Sequence, residues 1–92
     1  MNHKATSFAA LIRSSRAILG WSQSTLAKKS NIATVSVARI ESGAIDPRMD
    51  TAKKLTRAFQ DAGLKILQDE PRGGFTLIAN EALFEEKYNQ AL

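Results

Sequence analysis

The 92-residue sequence contains no cysteine and a single histidine, and no apolar run approaches the ~20 residues that cross a bilayer. The lack of cysteine excludes disulfides, thiol nucleophiles and cysteine-ligated zinc. His3 has no neighbouring metal ligands, and no glycine-rich phosphate loop is present, so we predict no enzyme, no metal site and no cofactor. The first residues lack the apolar core of a signal peptide. We therefore expect a soluble cytoplasmic protein with no membrane contact.

Charge is distributed unevenly along the chain, although the formal net charge is only +4. Residues 1–60 hold ten lysines and arginines against three acids, whereas residues 61–92 hold three against six. A basic first part indicates contact with a polyanion, and the acidic remainder indicates a different role. Charge alone leaves open that these are only solvated helix faces.

The first 62 residues show helical periodicity with clear start and stop residues. A first helix is expected from about Thr6 or Ser7, either of which can cap it, to Leu19 before Gly20. Ser22 is the expected N-cap of a short second helix ending near Ser30, and its hydroxyl can accept from the amide of residue 24 or 25. Trp21 and Leu26 have the spacing of a hydrophobic staple. Further helices are predicted over about 34–42 and 47–62.

The turn between the second and third helices is short, and Asn31 is the residue best able to adopt a left-handed conformation there. Gly43 ends the third helix, and Pro47 lies in the first turn of the fourth. The fourth helix is expected to bury its apolar face and to expose a basic one. The buried set is Met49, Ala52, Leu55, Ala58 and Phe59, and the exposed set is Lys53, Lys54 and Arg57.

Beyond Gly63 the period changes to that of strands. Two short apolar runs, 64–68 and 75–79, flank a segment rich in glycine and proline, which predicts a β-hairpin followed by a last helix from Glu81 to about Gln90. Both faces of this hairpin carry apolar side chains, and an isolated hairpin is only marginally stable. We therefore expect a second subunit to bury one of the two faces. Strand pairing and helix packing both remain open. The predicted dimerisation residues are Leu67, Phe75, Leu77, Ile78 and Phe84.

Two tightly joined short helices, the second with small polar side chains and one arginine outward, have the geometry of a helix-turn-helix. The motif comprises Ser22-Gln23-x-x-Leu26-Ala27, Asn31, Val37-x-Arg39-Ile40-Glu41-x-Gly43 and then Pro47. From about Phe8 to Phe59 the chain resembles the Xre/Cro-like, phage lambda repressor-like family of bacterial regulators. The resemblance implies a mainly α fold with a five-helix DNA-binding domain over 1–63, to which residues 64–92 add a β-hairpin and a short final helix as a dimerisation element.

The resemblance also implies roles for individual residues. Gln23 is expected to bind a DNA phosphate, and Thr34, Val35 and Ser36 are expected to face the bases. For Arg39, a bidentate contact to guanine and a phosphate clamp remain equally open. Arg16 and Glu41 match a structural ion pair. Further predicted DNA contacts are Ser22, Ser24 and Lys28, and general phosphate attraction is expected from Arg13, Arg48, Lys53 and Lys54.

Two positions depart from the family pattern. Ser15 stands where the family has a large apolar residue, and Arg48 follows the loop proline where a capping residue is usual. We therefore expect departures from the family fold in the packing of the first helix and at the start of the fourth, and none at the DNA-facing surface.

The hypothesis from the sequence is a homodimeric regulator, most simply a repressor, that binds an inverted-repeat operator in double-stranded DNA in a bacterium or a phage-infected cell. The alternative is an antitoxin that binds a toxin protein through the acidic last helix and autoregulates its operon. A module for protein interaction alone would need an acidic or apolar recognition helix, which this chain does not have.

Overall fold

The structure, a computed structural model, describes residues 3–85, with side chains described from residue 5. Four helices precede a two-stranded antiparallel hairpin, and a fifth helix, α5, covers residues 81–85. The predicted fold class, mainly α with a C-terminal β-hairpin and a short final helix, is thereby confirmed. Residues 3–63 form four helices, where five were expected. The predicted end of the last helix, near Gln90, lies outside the described residues. The element bounds are α1 His3–Leu19, α2 Gln23–Ser30, α3 Thr34–Glu41, α4 Met49–Asp61, β1 Lys65–Gln68 and β2 Phe75–Ile78.

One apolar core joins the helices and the hairpin. Helix α1 contacts α3, α4 and β2, while α2 contacts α3 and α4, and α4 contacts β1. Leu64 and Ile66 belong to the same buried cluster as the helical side chains, so the inner face of the hairpin closes the helical core. Trp21 stacks on the fully buried Phe59 with ring centroids 5.7 Å apart. This contact holds the residues just before α2 against α4.

Helix α1 begins earlier than the sequence pattern predicted. Thr6 and Ser7 lie inside the helix, because it starts at His3, so neither residue is its N-cap. Ala5 is buried together with Phe8 and Ala9, and this spacing extends the core-facing stripe one turn toward the N-terminus. The error arose because hydroxyl residues that can cap a helix are also tolerated within one.

Helix α4 differs from the prediction at its start. The helix begins at Met49 with Arg48 in the N-cap position, so Pro47 precedes the helix and is not part of its first turn. Met49 has the right spacing for the core but is 74% exposed, and Ala52 is the first residue of the predicted buried set that packs against the core, where it is half-buried. Arg48 makes no side-chain capping bond. Leu55, Ala58 and Phe59 are buried as expected.

The hairpin separates its apolar residues onto two faces. Ile66 pairs with Leu77 and Gln68 with Phe75 on the face toward the core, whereas Leu67 pairs with Thr76 on the outer face. The remaining outer pair joins Lys65 to Ile78, which is 46% exposed. In α5, Leu83 packs against the core beside Gly63.

Candidate nucleic-acid interface

A tight turn joins α2 to α3. Asn31 adopts the left-handed conformation with φ of 59°, and its amide donates to the carbonyls of Ala27 and Lys28. The amide of Ile32 also donates to Ala27, at 3.0 Å. Buried Leu26 and Val37 belong to the common core. The turn and the shared core therefore hold α2 and α3 against each other.

The N-terminus of α2 is organised around Ser22. Its hydroxyl accepts from the amide of Thr25 at 3.0 Å and lies 3.2 Å from the hydroxyl of Ser24 and 2.9 Å from that of Thr25. Gln23 is the first residue of the helix and is half-buried, while Ser24 is exposed. A helix N-terminus offers unpaired amides and the positive end of the helix dipole, so these side chains lie where a phosphate is favoured.

Helix α3 has one buried side and one open side. Val37, Ile40 and Glu41 are buried, whereas Thr34, Val35 and Arg39 are exposed and Ser36 is half-buried. Val35 is 67% exposed, an unusual position for a valine side chain. Arg39 follows Val35 by one helical turn, so both lie on the same side of the helix. The open side thus combines hydroxyls, methyl groups and one guanidinium, which can contact base edges and thymine methyls in a major groove.

The C-terminal end of α3 is held by an ion pair to α1. Arg16 donates to the Glu41 carboxylate through Nη2 at 2.7 Å and Nε at 3.1 Å, and it donates through Nη1 to the Trp21 carbonyl at 2.9 Å. Glu41 is only 4% exposed. One guanidinium therefore links α1, the residue just before the α2 N-cap, and the end of α3. The relative positions of these three segments determine how α2 and α3 are oriented toward a ligand.

Arg13 also binds the end of α3, a contact that the sequence interpretation missed. Its Nη1 atom donates to the main-chain carbonyl of Glu41 at 2.5 Å. The available signal was its position three residues before Arg16, which puts both arginines on the same side of α1. Side-chain patterns cannot indicate a bond to a main-chain carbonyl, so Arg13 was predicted only to attract phosphates.

Exposed cations lie around the helix-turn-helix. Lys28 and Lys29 are exposed at the end of α2, and the ammonium of Lys29 lies 5.2 Å from the centroid of the Trp21 ring system. Arg48, Lys53 and Lys54 are exposed in and just before α4. Their positive charge attracts a polyanion such as a nucleic-acid backbone, whatever its base sequence.

The five predicted dimerisation residues divide between two environments. Phe75 and Leu77 pack against the core of the same chain. Leu67 is half-buried on the outer face of the hairpin, Ile78 is exposed there, and Phe84 of α5 is 40% exposed. The structure therefore leaves Leu67, Ile78 and Phe84 available for contact with another molecule.

Two further properties concern other classes of site. Among residues 5–85, no cluster of three or more histidine, cysteine, aspartate or glutamate side chains is arranged to hold a metal ion. In the same part of the chain, every helix is too short or too polar to cross a membrane.

Comparison with known families gives one match. Residues 12–60, more than half of the chain, match a family model described as helix-turn-helix. This match spans the C-terminal half of α1, all of α2 and α3, and α4 almost to its end. A search of the curated proteins found no match. The chain belongs to the Cro/C1-type helix-turn-helix family, whose Xre and lambda repressor-like members are DNA-binding regulators.

Proposed function

We propose that this protein is a sequence-specific transcriptional repressor that binds an inverted-repeat operator as a homodimer. The observation that carries the proposal is the open side of α3, where Thr34, Val35 and Arg39 are exposed on a helix whose other side is locked into the core. Exposed valine is costly in water and favourable against a thymine methyl, and Arg39 supplies the long donor that the small side chains lack.

The two helices have different roles in this proposal. Ser22, Gln23 and Ser24 at the start of α2, together with Lys28 at its end, hold phosphates and fix the register on the duplex. Thr34, Val35 and Ser36 face the bases in the major groove. Arg39 lies one turn further along α3, where both a guanine and a phosphate are chemically suitable ligands.

Mutations at Gln23 and Arg39 test this division. An operator is first selected from a random DNA pool with the wild-type protein, and its affinity is then measured by fluorescence anisotropy. We expect Gln23→Ala and Arg39→Ala each to weaken operator binding by about fivefold or more while the melting temperature stays near wild type. Gln60→Ala, an exposed α4 residue, is the control for Gln23→Ala, and Arg57→Ala is the control for Arg39→Ala. Unchanged operator affinity in both test variants would contradict the assignment.

The same variants separate base contact from phosphate contact at Arg39. If the guanidinium binds a guanine, Arg39→Ala relaxes selectivity at one base-pair position, which repeating the selection with the variant detects. If it binds a phosphate, affinity falls to a similar extent on all sequences and the dependence on salt becomes weaker.

The dimer is proposed because one copy of α3 contacts only a few base pairs, and because Leu67, Ile78 and Phe84 present apolar surface away from the core. A two-fold axis would place the half-sites about 34 Å apart, one turn of DNA, or a multiple of that distance. Sedimentation at micromolar concentration should give a dimer, and Ile78→Glu should shift it toward monomer. A wild-type monomer together with a footprint lacking two-fold symmetry would contradict dimerisation.

Repression follows if the operator overlaps a promoter, since occupancy alone then blocks polymerase. A reporter gene placed behind the selected operator should lose expression when the protein is induced, and Gln23→Ala should restore it. Increased expression would indicate an activator.

A second candidate function, that of an antitoxin, is favoured by the surface of α5. Glu81, Phe84 and Glu85 are all exposed there. Acidic side chains repel DNA phosphates, so this surface with one aromatic side chain is better suited to a protein partner than to DNA. An adjacent gene encoding a growth-inhibiting protein would support it. Co-expression should then rescue growth, and the combined substitutions Glu81→Ala and Glu85→Ala should reduce rescue while operator affinity is retained.

A further inference from the structure

The last turn of α3 has an unusual set of hydrogen-bond partners. The last four carbonyls of a helix have no partner within the helix. In α3 the Ala38 carbonyl accepts from the amide of Ser42 at 3.1 Å, and the Ile40 carbonyl accepts from the amide of Gly43 at 3.0 Å. The Arg39 carbonyl accepts from the Ser42 hydroxyl at 2.7 Å. The fourth carbonyl, that of Glu41, accepts a hydrogen bond from the side chain of Arg13.

The first three carbonyls are satisfied by residues that follow directly in the chain, whereas Arg13 lies 28 residues away on another helix. Glu41 is buried, so its carbonyl has little access to a water that could replace Arg13 as the hydrogen-bond donor. Arg16, one turn further along α1, holds the carboxylate of the same residue. Residues of α1 therefore bind both the main chain and the side chain of Glu41.

We propose that Arg13 is a positioning residue for DNA recognition: its bond to the Glu41 carbonyl fixes the orientation of α3, and thereby the selectivity of the protein among DNA sequences. The inference rests on the proposed function. It assigns Arg13 to the recognition helix and not to the phosphates, because a phosphate contact would compete with the Glu41 carbonyl for the same guanidinium.

The geometry makes the far end of α3 sensitive to this anchor. Eight residues span about 12 Å, so a tilt of roughly 10° at the C-terminal end displaces the first residues by about 2 Å. Such a displacement exceeds what a hydrogen bond to a base edge tolerates, since donor–acceptor distances vary only between about 2.7 and 3.2 Å. Thr34, Val35 and Ser36 stand at that far end. The carboxylate bridge alone fixes one point on α3, whereas two anchors restrict its rotation as well.

The test compares Arg13→Gln with Arg57→Gln, a matched loss of one charge at an exposed position on α4. For each protein, affinity is measured for the selected operator and for a duplex of scrambled sequence, over a series of salt concentrations and well below the melting midpoint. We expect Arg13→Gln to lower the ratio of the two affinities by about fivefold or more, the smallest contribution of one good base contact. Its affinity for the scrambled duplex and its salt slope should match those of Arg57→Gln.

Two outcomes would overturn the inference. If Arg13 binds a phosphate, the variant loses affinity equally on both duplexes and its salt slope falls by about 0.9 relative to the control. If Arg13→Gln matches Arg57→Gln in every measurement, the bond to Glu41 has no bearing on recognition. A wild-type protein that selects no operator would refute the proposed function itself, which is a different result.

A second variant covers the case in which Arg13→Gln does not fold. Arg13→Lys keeps the charge but replaces the planar, multiple-donor group with a flexible ammonium. We expect a smaller fall in the affinity ratio than for Arg13→Gln, with no change in the salt slope. Suppose that Arg13→Gln is unfolded and that Arg13→Lys has the same ratio of operator affinity to scrambled-duplex affinity as wild type. This result would contradict a positioning role, because selectivity would then need only a positive charge at residue 13.

Discussion

Two regions of the protein, the helix-turn-helix and the hairpin, are built in different ways. Around α2 and α3, polar bonds link residues far apart in sequence, such as Arg16 to Glu41 and to the Trp21 carbonyl. In the hairpin, apolar packing attaches one face to the core while Ile78 remains exposed on the other. Hydrogen bonds are directional and fix orientation, whereas apolar burial depends mainly on area.

This difference matches the role proposed for each region. A helix that contacts base edges must be held to within a fraction of an ångström, and the polar bonds at Glu41 supply that restraint. A surface that associates with a second molecule needs exposed apolar area and tolerates a range of side-chain conformations. The charge follows the same division, with the basic residues mainly before residue 61 and the acids mainly after it.

The largest effect is expected from removing the polar anchor. Glu41→Ala leaves the Arg16 guanidinium, whose side chain is 22% exposed, without its carboxylate partner. Breaking a buried ion pair from one side costs about 3 kcal/mol. For a domain of this size that corresponds to a fall in melting temperature of roughly 12–24 °C, measurable by circular dichroism.

Glu85→Ala is the matched control for this substitution, since it removes an exposed acid from α5. Its effect should stay within about 0.5 kcal/mol. Equal melting temperatures for the two variants would show that the ion pair contributes nothing to stability, and the contrast between the two regions would fail.

The inner and outer faces of the hairpin provide the next test. Leu64 is buried just before β1, so Leu64→Ala should reduce the free energy of unfolding by about 2–4 kcal/mol through lost burial and a residual cavity. Ile78→Ala should cost less than about 1 kcal/mol at low protein concentration, because Ile78 is already half-exposed. Urea titrations at two protein concentrations measure both changes.

Concentration distinguishes packing within the chain from association. If the outer face joins a second copy, the stability of the wild-type protein rises with concentration, and Ile78→Ala removes that rise while Leu64→Ala does not. Equal losses from the two substitutions at every concentration would mean that the hairpin does not have distinct inner and outer faces.

Local features of the fold were predictable because nearby residues determine them. The Ser22 cap and the left-handed Asn31 each depend on side chains and backbone groups within four residues. Helical periodicity likewise indicated that Val37 and Ile40 face inward, and the β-hairpin followed from two apolar runs around a turn.

Features that depend on distant parts of the chain were predicted poorly. Met49 was predicted to be buried because it has the helical spacing of the core residues, yet it is exposed. Whether the core reaches the first turn of α4 depends on where α1 and the hairpin end. In the candidate interface, the exposed side of α3 follows from periodicity, but the partner of Arg13 is a main-chain carbonyl with no sequence signature.

The last expected effect has the opposite sign and lies where the polar and apolar regions meet. Ser15, on α1 between Arg13 and Arg16, is fully buried, and its hydroxyl has no hydrogen-bond partner. Ser15→Ala removes an unsatisfied buried group and introduces a better helix former, so we expect the protein to become more stable by about 1 kcal/mol. The melting temperature should rise by about 4–8 °C. Ser14→Ala, at the half-buried neighbouring position on α1, is the control for helix propensity alone and should raise stability by less. If Ser15→Ala lowers stability instead, the hydroxyl has a partner such as a buried water, and the polar contacts at the end of α3 continue into the core.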